Sequence, residues 1–231
     1  MDANHCPGSV MILFQGYFGT ILHTGDMRFN LSMVQTNPIL YPEHLRNSNY
    51  SGISIPIDEM ILDNTFCDPI FKFPTRSVAL KMIYDVIDKN LEINEELRVL
   101  ICIDSLGKEE MTVELSLKYE TLIIVSEIRY QMIRSIDLSS NLFTTDKSKG
   151  WIEIIRKDDR VTRLKEDKNC IAIVASGWAN LTSYQLIETN TYMIPYSLHS
   201  NFKELEQFVR SIKPCILKKV VNDTSKDGEK K

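Results

Sequence analysis

Three side chains able to hold a metal stand where apolar runs begin or end. His5 precedes Cys6-Pro7-Gly8 and the run Val10–Phe14. Asp26 closes Thr24-Gly25-Asp26 after Thr20–His23, and His199 closes Pro195-Tyr196-Ser197-Leu198-His199 after an apolar strand. Side chains at strand ends converge on one edge of a sheet, and imidazole with carboxylate is a zinc-type donor set. Singly, each is ordinary. A histidine beside an apolar strand is more often a hydrogen-bonded structural residue, and aspartate after glycine more often serves a turn. A further carboxylate, Asp63, ends the short run Glu59–Leu62. Ser105-Leu106-Gly107-Lys108-Glu109 offers a different chemistry, because N–H groups at a helix start and an ammonium suit an anion. Read alone, that stretch is first a strand-to-helix turn with an exposed lysine.

The elements that must position these groups follow from periodicity. Val10–Phe14 and Thr20–His23, joined by Gln15-Gly16-Tyr17-Phe18-Gly19, predict a β-hairpin. Residues 36–56, with three prolines, read as a long loop. Thr75 opens a helix with Ala79, Met82, Ile83, Val86 and Ile87 at helical spacing. A strand over 98–103 leads through the Ser105 turn into a helix over 108–119. A strand over 121–125 and a helix over 127–136 follow, then strands at 171–175 and 192–195. This alternation predicts a parallel-rich α/β layer. Asn201 and Glu204 have capping-box spacing before a helix with Phe202, Leu205, Phe208, Val209 and Ile212 on one face. Lys213-Pro214 stops it, a strand follows over 215–221, and residues 223–231 are expected to be a disordered tail.

Composition sets outer limits. The 231 residues are 43% hydrophobic and 25% charged, with a net charge of −4, an ordinary globular balance that mildly disfavours a nucleic-acid binder. The cluster Arg156, Lys157, Arg160, Arg163, Lys165 and Lys168 is diluted by acids and reads as a solvated face. Five scattered cysteines without a C-x-x-C fit a reducing compartment rather than a disulfide framework. No apolar run approaches the ~20 residues needed to cross a bilayer, so no membrane contact is expected. The opening residues show neither the basic nor the long apolar stretch of a signal peptide.

The order of the motifs adds more than any motif alone. Asp2-Ala3-Asn4-His5-Cys6-Pro7-Gly8-Ser9-Val10-Met11 resembles the third metal motif of the DNA-repair metallo-β-lactamase/β-CASP family. Gly16-Tyr17-Phe18-Gly19-Thr20-Ile21-Leu22 with Thr24-Gly25-Asp26 resembles its fourth. Leu62-Asp63-Asn64-Thr65-Phe66-Cys67-Asp68-Pro69 resembles motif A, Ser105–Glu109 is a further match, and Ile194–Ser200 carries motif B. The resemblance runs over residues 2–221. It implies an α/β fold, a partial metallo-β-lactamase αββα sandwich with an inserted β-CASP α/β domain. Residues 1–66 and 179–222 would belong to the first, and 67–178 to the second. His5 would ligate one zinc, His199 a second, and Asp26 both. Asp63 would orient ligands or the attacking water, and with Asp26 forms the expected catalytic pair. Ser105, Gly107, Lys108 and Ser176 would bind a terminal 5′-phosphate.

By the same resemblance the protein would be a nuclear, zinc-dependent 5′-to-3′ DNA exonuclease acting in interstrand cross-link repair and telomere-end processing. Its partners would be DNA with a 5′-phosphate end and telomere or repair proteins. A structure-selective endonuclease and a non-catalytic DNA- or protein-binding module are the alternatives. An RNA-processing relative is disfavoured, because no histidine follows His199. The sequence departs from the pattern in places. The H-x-H-x-D-H run is absent, Val174-Ala175-Ser176 replaces a more usual Arg-Pro-Thr, and Lys218-Lys219 stands near motif C. With four histidines and no pair two apart, the chain is expected to begin after the family's main zinc motif, to cleave no DNA alone, and to be poorly soluble.

Overall fold

The computed structural model describes residues 1–37, 40, 55–104, 106–136, 139–179 and 182–220. Ser105, most of the expected 36–56 loop and the expected 223–231 tail lie outside them. The chain divides into two compact units, one of Met1–Lys72 with the stretch from Leu198 onward, the other of Phe73–Ser197.

The first unit is built on a four-stranded sheet in the order β1-β2-β3-β11. Strands β1 (Ile12–Gly16) and β2 (Gly19–His23) form the antiparallel hairpin. Strand β3 (Glu59–Leu62) lies parallel to β2, and β11 (Ile216–Lys219) parallel to β3. Gly19 turns the hairpin at φ +95°, and a Cβ there would lie 2.4 Å from the Asp58 carboxylate, so only glycine fits. Leu22, Met60 and Leu62 point to one face, where Met27, Phe29 and helix α6 (Phe202–Ile212) cover them with Leu205, Phe208 and Ile212. The expected capping box opens α6: the Asn201 side chain accepts from the Glu204 N–H, and Glu204 accepts from the Asn201 N–H. Phe208 is fully buried against Phe29, with ring centroids 5.2 Å apart, and its truncation to alanine costs about 3–5 kcal/mol. Alternate residues face the other way: Ile12 is 47% and Ile216 52% exposed. A short helix, α1 (Leu31–Gln35), capped by Asn30, was not foreseen.

The second unit holds a seven-stranded sheet in the order β6-β5-β7-β4-β8-β10-β9. The strands are β4 (Arg98–Cys102), β5 (Ile123–Ile124), β6 (Phe143–Thr144), β7 (Ile152–Ile155), β8 (Cys170–Ala175), β9 (Gln185–Glu188) and β10 (Thr191–Ile194). Every neighbouring pair is parallel except β9 with β10. Parallel strands buried on both faces need near-continuous apolar runs, and all six residues of β8 are buried. Helices α2 (Arg76–Leu91), α3 (Glu109–Tyr119), α4 (Glu127–Ser135) and α5 (Arg160–Glu166) alternate with the strands. Thr75 caps α2 as expected, its hydroxyl accepting from the Val78 N–H. Gly150 allows β5 and β7 to close, because a Cβ there would lie 2.1 Å from the Leu122 carbonyl oxygen.

Two expectations need correction. The return to the first unit was placed at residue 179. Instead β9 and β10 extend the second sheet, with Thr191–Ile194 paired in parallel to Ala172–Ala175, and the return comes at Leu198. The basic cluster is not simply solvated. Arg163 grips Glu153 with both ends of its guanidinium, Arg160 meets Glu188 at 3.4 Å and Lys157 meets Asp104 at 3.0 Å.

Candidate metal centre

His5 sits in a tight loop before β1. The Ser9 hydroxyl accepts from the N–H groups of both His5 and Cys6, and the Ser9 carbonyl accepts from the Ala3 N–H. This loop fixes the imidazole, and its Nδ1 lies 3.2 Å from the Leu198 carbonyl oxygen. A ring whose Nδ1–H is given to a carbonyl presents its Nε2 lone pair. Asp26 follows the end of β2. The Gly25 N–H donates to His23 Nδ1 at 3.0 Å, and the Asp26 side chain is left 58% exposed. His199 precedes the cap of α6, and its Nδ1 lies 2.8 Å from Asp63 Oδ2, which makes Nε2 its ligand atom.

These three residues meet. One ligand atom from each of His5, Asp26 and His199 lies within 4.8 Å of the others, and the two imidazole centroids are 4.5 Å apart, edge to face. Burial, and the proximity of His199 after it, hold the His5 pKa below the usual imidazole value. A neutral imidazole is the form that ligates. Two oriented imidazoles and an accessible carboxylate fit zinc or a similar ion by donor chemistry.

Asp63 is placed differently. It is buried at the end of β3. Oδ2 accepts from the Met27 N–H and faces His199, and Oδ1 accepts from the Thr65 N–H and hydroxyl. Burial works to raise its pKa, but the His199 contact and the Met27 and Thr65 bonds outweigh that and hold it below the usual carboxylate range. With both oxygens engaged by protein groups, its geometry suits orienting His199 rather than handling water. Thr24, fully buried, supports it by accepting from the Asp63 N–H at 2.9 Å.

The expected phosphate residues lie in the second unit. Gly107 (φ +96°) and Lys108 (φ +69°) lead into α3. Lys108 is not an exposed lysine: it is 8% exposed, and its Nζ lies 3.1 Å from Asp104 Oδ2, whose Oδ1 receives Lys157. The Gly107 N–H, expected to face an anion, donates to Glu109 Oε1 instead. Ser176 follows β8, which neighbours β4 in parallel, so residues 104 and 176 leave the same sheet edge. Among the described residues its hydroxyl accepts only from the Trp178 N–H. Asp104, Lys157, Arg28 and Glu204 were not singled out as site residues. Lys157 had a signal in the basic cluster, Arg28 in its place two residues after Asp26 and Glu204 in its capping box; Asp104 had none.

A profile described as DNA repair metallo-beta-lactamase matches residues 137–227. The 5′ exonuclease Apollo of Danio rerio is 35% identical over 96% of this chain and 36% of its own length. That of Gallus gallus is 38% identical over 93% of this chain and 43% of its own. Residues 137–227 are thus similar to the DNA repair metallo-beta-lactamase family, and most of the chain is similar to part of the Apollo exonucleases. The human DNA cross-link repair 1A protein is a more distant relative, 26% identical over 96% of this chain and 22% of its own length. The chain thus spans less than half the length of these curated relatives. The part that matches the DNA repair metallo-beta-lactamase profile contains His199, the last strands of the second sheet, α6 and β11. His5, Asp26 and Asp63 fall outside it.

Proposed function

We propose that this protein acts in the nucleus as a zinc-dependent 5′-to-3′ DNA exonuclease, in interstrand cross-link repair and telomere-end processing. The convergence of His5, Asp26 and His199 within 4.8 Å supports this reading most directly. The Apollo relatives supply the reaction class. His5 would hold one zinc and His199 a second, with Asp26 as a ligand to both. When bound, two such ions supply Lewis acidity at a phosphodiester and favour the charge of both attacking and leaving oxygens. Asp63 keeps the His199 ring turned and its Nδ1 engaged. Lys108, with Ser105, Gly107 and Ser176, would receive the terminal 5′-phosphate. The partners would be DNA ends and telomere or repair proteins.

The test uses end-labelled single strands with and without a 5′-phosphate, and the protein at its natural length. Stepwise loss of nucleotides from phosphorylated 5′ ends, abolished by His199→Ala and Asp26→Ala, is expected. Equal cleavage of both strands, or cuts at interior junctions, would favour an endonuclease. DNA binding without any cleavage would favour a non-catalytic module.

A further inference from the structure

We propose that the buried Arg28–Glu204 pair is a positioning device for the three-donor centre. The inference rests on the metal-binding reading above and assigns a role to two residues outside the donor set.

Arg28 is 4% exposed. Its Nε lies 2.9 Å from Glu204 Oε2 and its Nη2 2.9 Å from Glu204 Oε1, a two-point fork. Its Nη1 donates to the His199 carbonyl oxygen at 3.2 Å. Its backbone N–H donates to the Ala3 carbonyl at 3.0 Å, and its own carbonyl accepts from Asn4 Nδ2 at 2.9 Å. One residue therefore touches the segment just before His5, lies two places beyond Asp26, and holds the backbone of His199. Arg28 thus stands on the segment after Asp26 and is bonded to the segments that carry His5 and His199.

The chemistry of the fork explains why arginine stands there. A guanidinium fixed by two parallel bonds cannot turn, so its third donor is aimed rather than merely attracted. Glu204 extends the lock. Its Oε2 also accepts from the Asn201 N–H, so the first turn of α6 is tied to the same fork. The segment carrying His199 is thereby held between α6 and the segment after Asp26. Metal–ligand distances tolerate only about 0.2 Å, so a loop free to drift loses affinity. Stability alone is a weak reason to keep the pair, because a buried ion pair is often matched by well-packed apolar residues.

The test is Co2+ affinity, by chelator competition, together with the visible spectrum of bound Co2+, in the protein at its natural length. In Arg28→Met/Glu204→Gln no charge is left buried and unpaired, and glutamine still completes the capping box. A cooperative unfolding transition, a ten- to hundredfold loss of Co2+ affinity and an altered spectrum are expected, the range typical when support of a ligand is removed. Arg28→Lys keeps the charge but not the fork, and about tenfold loss is expected; it carries the test if the double variant does not fold. Asn201→Ala disturbs the cap and leaves the fork, so it should lower the unfolding midpoint without changing the affinity. Wild-type affinity and spectrum in both Arg28 variants would overturn the positioning role. If Co2+ binding is indifferent to His199→Ala and Asp26→Ala, the metal reading falls first and the positioning role with it.

Discussion

Asp63 Oδ2 and His199 Nδ1 lie 2.8 Å apart, joining the end of β3 to the segment two residues before the α6 cap. A carboxylate on the far ring nitrogen fixes the tautomer and raises the basicity of the other nitrogen. Asp63→Asn keeps the shape and removes the charge. Zinc affinity should fall about 10–100-fold. Isothermal titration with Zn2+ checks this, and an unchanged affinity would reduce Asp63 to a tether for Met27 and Thr65.

Asp104 occupies the ammonium groups on which the proposed phosphate seat depends. Burial pushes the Lys108 pKa down, and Asp104 works against that. An arriving phosphate must compete with this carboxylate for Lys108 and Lys157. Asp104→Asn should therefore tighten binding of 5′-phosphorylated oligonucleotides, about three- to tenfold at low salt and less as salt screens the gain. Lys108→Met should abolish the preference for a 5′-phosphate. Fluorescence anisotropy with phosphorylated and unphosphorylated strands reads both, and no change in either variant would remove the turn from the site.

Glu153 makes the second unit sensitive to acid. Burial raises its pKa, but the bidentate bond to Arg163, aided by Lys147, outweighs this and holds it below the usual value. A carboxyl depressed in the folded state stabilises fully above its unfolded pKa, and loses that contribution as pH falls through the folded one. Glu153→Gln should cost about 1–3 kcal/mol at neutral pH, since it leaves part of Arg163 unpaired. It should also flatten the fall in stability below about pH 4.5. Urea titrations at pH 7 and pH 4 test both halves, and equal losses at the two pH values would contradict the assignment.

The cysteines should react in two classes. Burial pushes the Cys102 thiol up to about 12, and burial with the Asp167 contact does the same for Cys170. Cys67 and Cys215 are exposed. Because thiolate is the reactive form, a disulfide reagent at pH 8 should label Cys67 and Cys215 quickly, and Cys102 and Cys170 only on unfolding. Mass spectrometry of labelled peptides would expose early modification of Cys102, which would contradict its burial.

Local patterns were readable from the chain. The hairpin was written in two β-branched runs around Gly16 and Gly19, α2 in its Thr75 cap, and α6 in the Asn201–Glu204 box. Each is decided by residues within one or two turns of each other. The run of motifs from His5 to His199 was also readable, and pointed to the family the comparisons support. Strand β7 was missed because Glu153 breaks its apolar run, and the charge becomes tolerable only when Arg163 folds back onto it.

What the sequence by itself determined was most of the elements, the likeness to the family and three candidate donors. Only the tertiary structure decided that those donors meet. Leu198, whose carbonyl orients His5, is 193 residues away from it, and Glu204 is 176 residues from Arg28. It also decided that β7 inserts between β5 and β4 although it follows β6, and that Asp104 stands against Lys108. Pairing between distant strands depends on side chains that approach only when the whole sheet closes, so neither periodicity nor spacing along the chain encodes it.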